Sequence, residues 1–208
     1  IGYAIDVLNL IATLRGSAGE PGPLESANAE SIGLFGHSMG GGIAMLYACW
    51  HGENLAGLIL SGAVGQVDQY ATPLLVALAK VLSVILPMLP IRKLKWEKIC
   101  RDPEVREARK KDPLVFEKNI SARLGYQLLR VESLFLECVS ELTLPMLLLH
   151  GSEDAVVSPK STEMVYETVP SRDKSMHMME GMWHELLSEP GGEEVLQIIL
   201  DWLEDHLP

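Results

Sequence analysis

Gly36-His37-Ser38-Met39-Gly40 stands directly after the apolar run Ser31-Ile32-Gly33-Leu34-Phe35. It matches Gly-x-Ser-x-Gly between a strand and a helix, the pattern of a nucleophile elbow. A serine hydroxyl is a poor nucleophile at neutral pH. It needs a base to take its proton and backbone N–H groups to stabilise the oxyanion. Glycines on both sides let the chain turn sharply. Gly40 to Ala48 is small and apolar, suited to a buried helix lying close on the sheet, and its start aims N–H groups at the serine. Met39 is the expected oxyanion-hole donor. A glycine-rich turn that serves packing alone is the competing reading.

With this elbow, the partners follow in the order serine, acid, histidine. Pro145-Met146-Leu147-Leu148-Leu149-His150 reads as a buried parallel strand, and Gly151-Ser152-Glu153-Asp154 as the acid loop after it. Asp154 is the expected acid and Glu153 its rival. Six histidines compete for the role of base. His37 lies inside the elbow, where neighbouring side chains diverge, and His51 lies beyond the following helix. His150, His177 and His206 read as structural or exposed. His184 follows the loop Glu180-Gly181-Met182-Trp183 and can reach back over the sheet, so it is the expected base. His184-Glu185-Leu186-Leu187-Ser188 begins like a zinc-protease helix but has serine where the second histidine belongs, and no Cys-x-x-Cys pair is present. No metal or cofactor is expected.

A chain of 208 residues that is 48% hydrophobic suits one sizeable core. A formal charge of -11 argues against nucleic acid and against electrostatic attraction to anionic membranes. Cys49, Cys100 and Cys138 are odd in number and widely spaced, which suits reduced thiols in a cytoplasmic protein. The start Ile1-Gly2-Tyr3-Ala4 shows no secretory signal.

Apolar spacing predicts a helix over Tyr3 to Leu14, with a Gly- and Pro-containing loop from Gly16 to Pro23. Strands are expected at Ser31 to Phe35, Leu55 to Ser61, Pro145 to His150 and Ser175 to Met179, and a last helix from about Glu193 to His206. The fold class is therefore α/β, a mainly parallel sheet flanked by helices. Residues 1–64 and 143–208 form the core, and 65–142 a helical cap or lid insertion. Within it, Pro73 to Pro87 is apolar nearly all round yet shorter than the roughly 20 residues that span a bilayer. It is either a packed core helix or a lid helix that lines an acyl pocket and makes peripheral contact with membrane. Arg92 to Lys111 carries both charge signs and, with Asp102-Pro103 and Asp112-Pro113, reads as a solvated surface with helix starts.

Gly-His-Ser-Met-Gly-Gly at 36 to 41, Asp112-Pro113-Leu114, the stretch Leu144 to Asp154 and Trp183 to Pro190 together resemble the monoacylglycerol lipase and lysophospholipase branch of the α/β-hydrolases. The last two stretches look like the plant and algal members. The resemblance implies a serine hydrolase that cleaves a fatty acyl ester from a glycerol-like head group beneath a helical cap. Such proteins have further strands and a His-Gly oxyanion motif ahead of the helix with which this chain opens. Only the Met39 donor is visible here. The sheet would be about half the usual width with an exposed edge, so marginal stability or association is expected. Two other readings stay open, an esterase of phenolic or other non-lipid esters and a non-catalytic fragment that binds lipid or a partner.

Overall fold

The computed structural model describes residues 32–65, 72–93, 96–113, 115 and 119–206. The expected helix over Tyr3 to Leu14 and the loop that follows it lie outside them, as does Leu114. In chain order the elements are β1 (Gly33–His37), α1 (Met39–His51), β2 (Gly57–Ser61), α2 (Pro73–Ile85), β3 (Pro90–Arg92), α3 (Pro103–Lys111), β4 (Ile120–Ser121), α4 (Ala122–Cys138), β5 (Met146–Gly151), α5 (Lys160–Thr168), β6 (Lys174–Met179) and α6 (Gly192–His206). Four strands form a parallel sheet in the order β1-β2-β5-β6.

β2 and β5 are buried along their whole length, which explains their unbroken apolar character between two helical layers. Their side chains alternate between the two faces. Leu58, Leu60, Met146 and Leu148 pack with Met45, Tyr47 and Ala48 of α1, Phe135 of α4 and Val165 of α5. Ile59, Leu147 and Leu149 meet Val195, Ile199 and Trp202 of α6 on the other side. α1 lies close on the sheet because no side chain intervenes. A Cβ at Gly36 would stand 2.7 Å from both the Ala44 Cβ and the Gly41 Cα.

Between β2 and β5 the chain adds the β3–β4 antiparallel pair and three capped helices. Thr72 Oγ1 accepts from Leu75 N–H ahead of α2, Asp102 Oδ1 from Glu104 and Val105 N–H ahead of α3, and Ser121 Oγ from Leu124 N–H ahead of α4. Asp112-Pro113 does not start a helix as expected. Asp112 instead ends α3, its N–H donating to Arg109 O. α2 packs on α4, and α4 on α1. The outer face of α2 is bare: Leu74 is 80% exposed and Val84 73%, with Leu78, Val81 and Ile85 exposed beside them.

The cysteines correct another expectation. Cys49 of α1 and Cys138 of α4 form a disulfide, and the cytoplasmic reading loses the support it drew from three reduced thiols. Packing of α4 against the elbow helix brings together residues 89 positions apart. Only Cys100 is free among the described residues, and burial pushes its thiol up to about 11. In the chain-entropy account a bridge closing so long a loop adds about 3 to 5 kcal/mol. Cys138→Ser should therefore lower the urea midpoint of the oxidised chain, and added reductant should lower the parent's to match. Equal midpoints for parent and variant without reductant would exclude the bridge.

Strand boundaries move by one or two residues from those expected. β1 runs on through Gly36 and His37, so Ser38 follows the strand without a linker, while β5 extends to Gly151. The segments bearing Ser38, Asp154 and His184 all leave the carboxyl ends of parallel strands, where such sheets gather their sites.

Candidate active site

Ser38 has φ 54° and ψ -124°, and among the described residues it is the only non-glycine with positive φ. Such a backbone survives where its surroundings over-determine it. Here Ser38 N–H donates to Ser61 O at 2.9 Å, and Ser38 O accepts from Gly41 N–H and Val64 N–H, each at 3.0 Å. The turn is thus pinned to β2 and the residues after it. Met39 opens α1, and the first N–H groups of a helix have no carbonyl partner within it.

His184 Nε2 lies 2.8 Å from Ser38 Oγ, and His184 Nδ1 lies 2.6 Å from Asp154 Oδ2. His184 is 2% exposed. Room for it comes from Gly62, where the chain takes φ 52° and a Cβ would stand 3.2 Å from His184 Nδ1. Asp154 Oδ1 accepts from Val156 N–H at 2.7 Å and Val157 N–H at 3.0 Å. Burial by itself would raise the Asp154 carboxyl. Hydrogen bonds from His150 and His184, the His184 charge and the Val157 N–H overcome it and hold the group well below the usual carboxylate range. Asp154 is therefore ionised wherever an imidazole titrates. Glu153, its rival, points to solvent.

A family model described as Serine aminopeptidase, S33 matches residues 24–191. The chain belongs to this family. A monoacylglycerol lipase of Mycolicibacterium smegmatis is 32% identical over 174 residues, 84% of this chain and 62% of that protein. The monoglyceride lipase of Homo sapiens is 34% identical over 157 residues, 75% of this chain and 52% of that protein. The chain thus spans 62% and 52% of the length of these two curated relatives. The solved structure of Paleococcus ferrophilus monoacylglycerol lipase matches with a TM-score of 0.81 at 27% identity, covering 98% of this chain and 74% of that one. The fold is that of the α/β-hydrolases.

Two histidines of this S33-family chain stand closer to the site than the sequence suggested. His150 is fully buried, with Nε2 3.1 Å from Asp154 Oδ2 and 3.2 Å from Val157 O. Both neighbours are acceptors, so Nε2 carries the proton. Nδ1, 2.6 Å from Thr162 Oγ1, then accepts from the hydroxyl. His150 is therefore a second imidazole donor to the same carboxylate. The available signal was its place four residues before a buried acid that needs donors. His37 does not diverge from the site. Its ring centroid lies 4.8 Å from that of His184, tilted by 47°. His206 stacks on Trp202 and reaches Asp173, and His51 packs against Tyr47, both away from the serine. Among the described residues no group of three or more His, Cys, Asp or Glu could hold a metal ion.

Proposed function

We propose that this chain carries a serine hydrolase site that cleaves the fatty acyl ester of a monoacylglycerol or lysophospholipid. The observation that carries the reading is the hydrogen-bonded row Ser38–His184–Asp154. Ser38 Oγ attacks the ester carbonyl while its proton passes to His184 Nε2. Asp154 holds the Nδ1–H and stabilises the imidazolium. The Met39 N–H donates to the oxyanion. As the tetrahedral intermediate collapses, the carbon–oxygen bond to the alcohol breaks and His184 returns the proton to the departing oxygen. Water then adds to the acyl-enzyme by the same route, releasing the fatty acid and restoring Ser38.

Support for a lipid ester comes from the bare apolar face of α2 and from the lipases among the relatives. In this reading residues 65–142 are a cap, and α2 is its lipid-contacting, peripheral element. No helix among the described residues is long and apolar enough to cross a membrane. Long-chain monoacylglycerol should be hydrolysed faster than a short soluble ester, and Leu78→Ser with Val81→Ser should remove that preference while sparing the short ester. Equal loss on both substrates, or a parent that favours the short ester, would move the assignment to a non-lipid esterase.

A further inference from the structure

The loop that carries His184 is fastened to the segment between β2 and β5. Glu185 N–H donates to Ile99 O at 2.9 Å, and Cys100 Sγ–H to Ser188 O at 3.1 Å. The fully buried Glu189 carboxylate accepts from the Arg101 backbone N–H and from its guanidinium. Arg106 Nη1 donates to the carbonyls of Cys100 and Arg101, tying this stretch to α3. The expectation of a solvated surface over Arg92 to Lys111 therefore fails for its middle, where Ile99 and Cys100 are buried.

Glu185 stands at the centre of this junction. Its Oε1 accepts from Arg109 Nη1 of α3 at 3.0 Å, and its Oε2 lies 3.4 Å from His37 Nε2. The Arg109 guanidinium in turn stacks over Trp96, 5.1 Å from the ring centroid. His37 Nδ1 lies 3.3 Å from Ser61 Oγ, and the His37 ring faces that of His184. One carboxylate thus sits between a cation of the insertion and the imidazole adjacent to Ser38. Burial would raise the Glu185 carboxyl, but the nearby His37 imidazole and the charges of Arg109 and His184 bring it below its ordinary value. Glu185 is a full negative charge at neutral pH.

We propose that Glu185 is a positioning residue for His184 and that Arg109 governs how strongly it acts, so that the seating of the insertion is transmitted to the candidate base. Two effects follow. Glu185 fixes the backbone beside His184 and the His37 ring packed against it. Its charge also favours the imidazolium that forms when Ser38 gives up its proton, and Arg109 offsets that charge. Removing the carboxylate and removing its cation must therefore act on His184 in opposite directions. A merely structural junction would respond alike to either loss.

The inference rests on His184 being the base, so its test does not depend on turnover alone. The imidazole signals of the intact chain are followed by NMR across pH, with thermal melts to establish folding. The charged and titratable groups around the His184 ring are Asp154, His37 and Glu185, with His150 behind Asp154 and Arg109 behind Glu185. Relative to the parent chain, Glu185→Gln should move the His184 midpoint down by about half a pH unit, and Arg109→Met should move it up by a similar amount. Arg109→Lys should stay near the parent. The double variant should return towards the parent, because the two opposing charges are removed together and their effects on His184 largely cancel. With a short soluble ester, both single variants should lower kcat about three- to tenfold with little change in KM. Midpoints that move together, or that do not move in folded variants, would overturn the coupling. If Glu185→Gln does not fold, a midpoint raised by Arg109→Met and restored by Arg109→Lys supports it, and no difference between those two overturns it. Midpoints that shift as stated in a chain without hydrolysis would support the coupling and count against the hydrolase reading.

Discussion

Ser38→Ala is expected to lower ester hydrolysis by about a millionfold and to abolish labelling by a fluorophosphonate. The substitution removes one oxygen and leaves the turn intact. The bonds that pin the elbow, Ser38 N–H to Ser61 O and Gly41 and Val64 N–H to Ser38 O, are all main-chain. The melting temperature should accordingly stay close to the parent's. His184 would keep Asp154 on Nδ1 but lose its partner 2.8 Å away on Nε2. What would remain is the proposed donor at Met39, and triad enzymes that lose the nucleophile keep only a small residual rate. Hydrolysis and labelling that survive in a folded Ser38→Ala chain would remove Ser38 from the reaction, and with it the proposed mechanism.

What could be read in the chain beforehand follows from how local each signal is. The elbow, the acid loop and His184 lie at the ends of short apolar runs, so pattern and chain order bring their positions into view. The disulfide was hidden because Cys49 and Cys138 meet only once α4 lies on α1, and spacing in a chain carries no record of helix packing. The same holds for His150. Its strand position was legible, but its aim at Asp154 depends on how the loop after β5 folds back. Asp112-Pro113 and Asp102-Pro103 look alike in sequence, yet Asp102 caps α3 and Asp112 ends it, extended ahead of the proline that disfavours helical backbone at residue 112. The apolar run of α2 identified a helix and left open whether anything covers it. Hydropathy reports which side chains avoid water, and the packing on α4 decides which of them succeed. Glu185, Arg109 and His37 come from three separate parts of the chain, and no one-dimensional pattern joins them.

Asp154→Asn is expected to cost about ten thousandfold in kcat while the fold persists. The direction of the amide decides this, and its neighbours set that direction. Oδ1 accepts from two backbone N–H groups, Val156 and Val157, so the carbonyl oxygen of the asparagine must take that side. The NH2 is then driven onto His184 Nδ1 and the proton-bearing His150 Nε2. His184 can meet the amide only by accepting at Nδ1, which moves its own proton to Nε2, facing Ser38 Oγ. In that tautomer it cannot take the serine proton. The same substitution has a signature in stability. The carboxyl is depressed in the folded chain, so its stabilisation is present in full above the unfolded value of about 3.9 and is lost as pH falls from there towards the lowered folded value. Parent melting temperatures should therefore fall more steeply than those of Asp154→Asn as pH drops below about 4. A variant retaining more than about a tenth of parental kcat would show that Asp154 does not set the tautomer of His184.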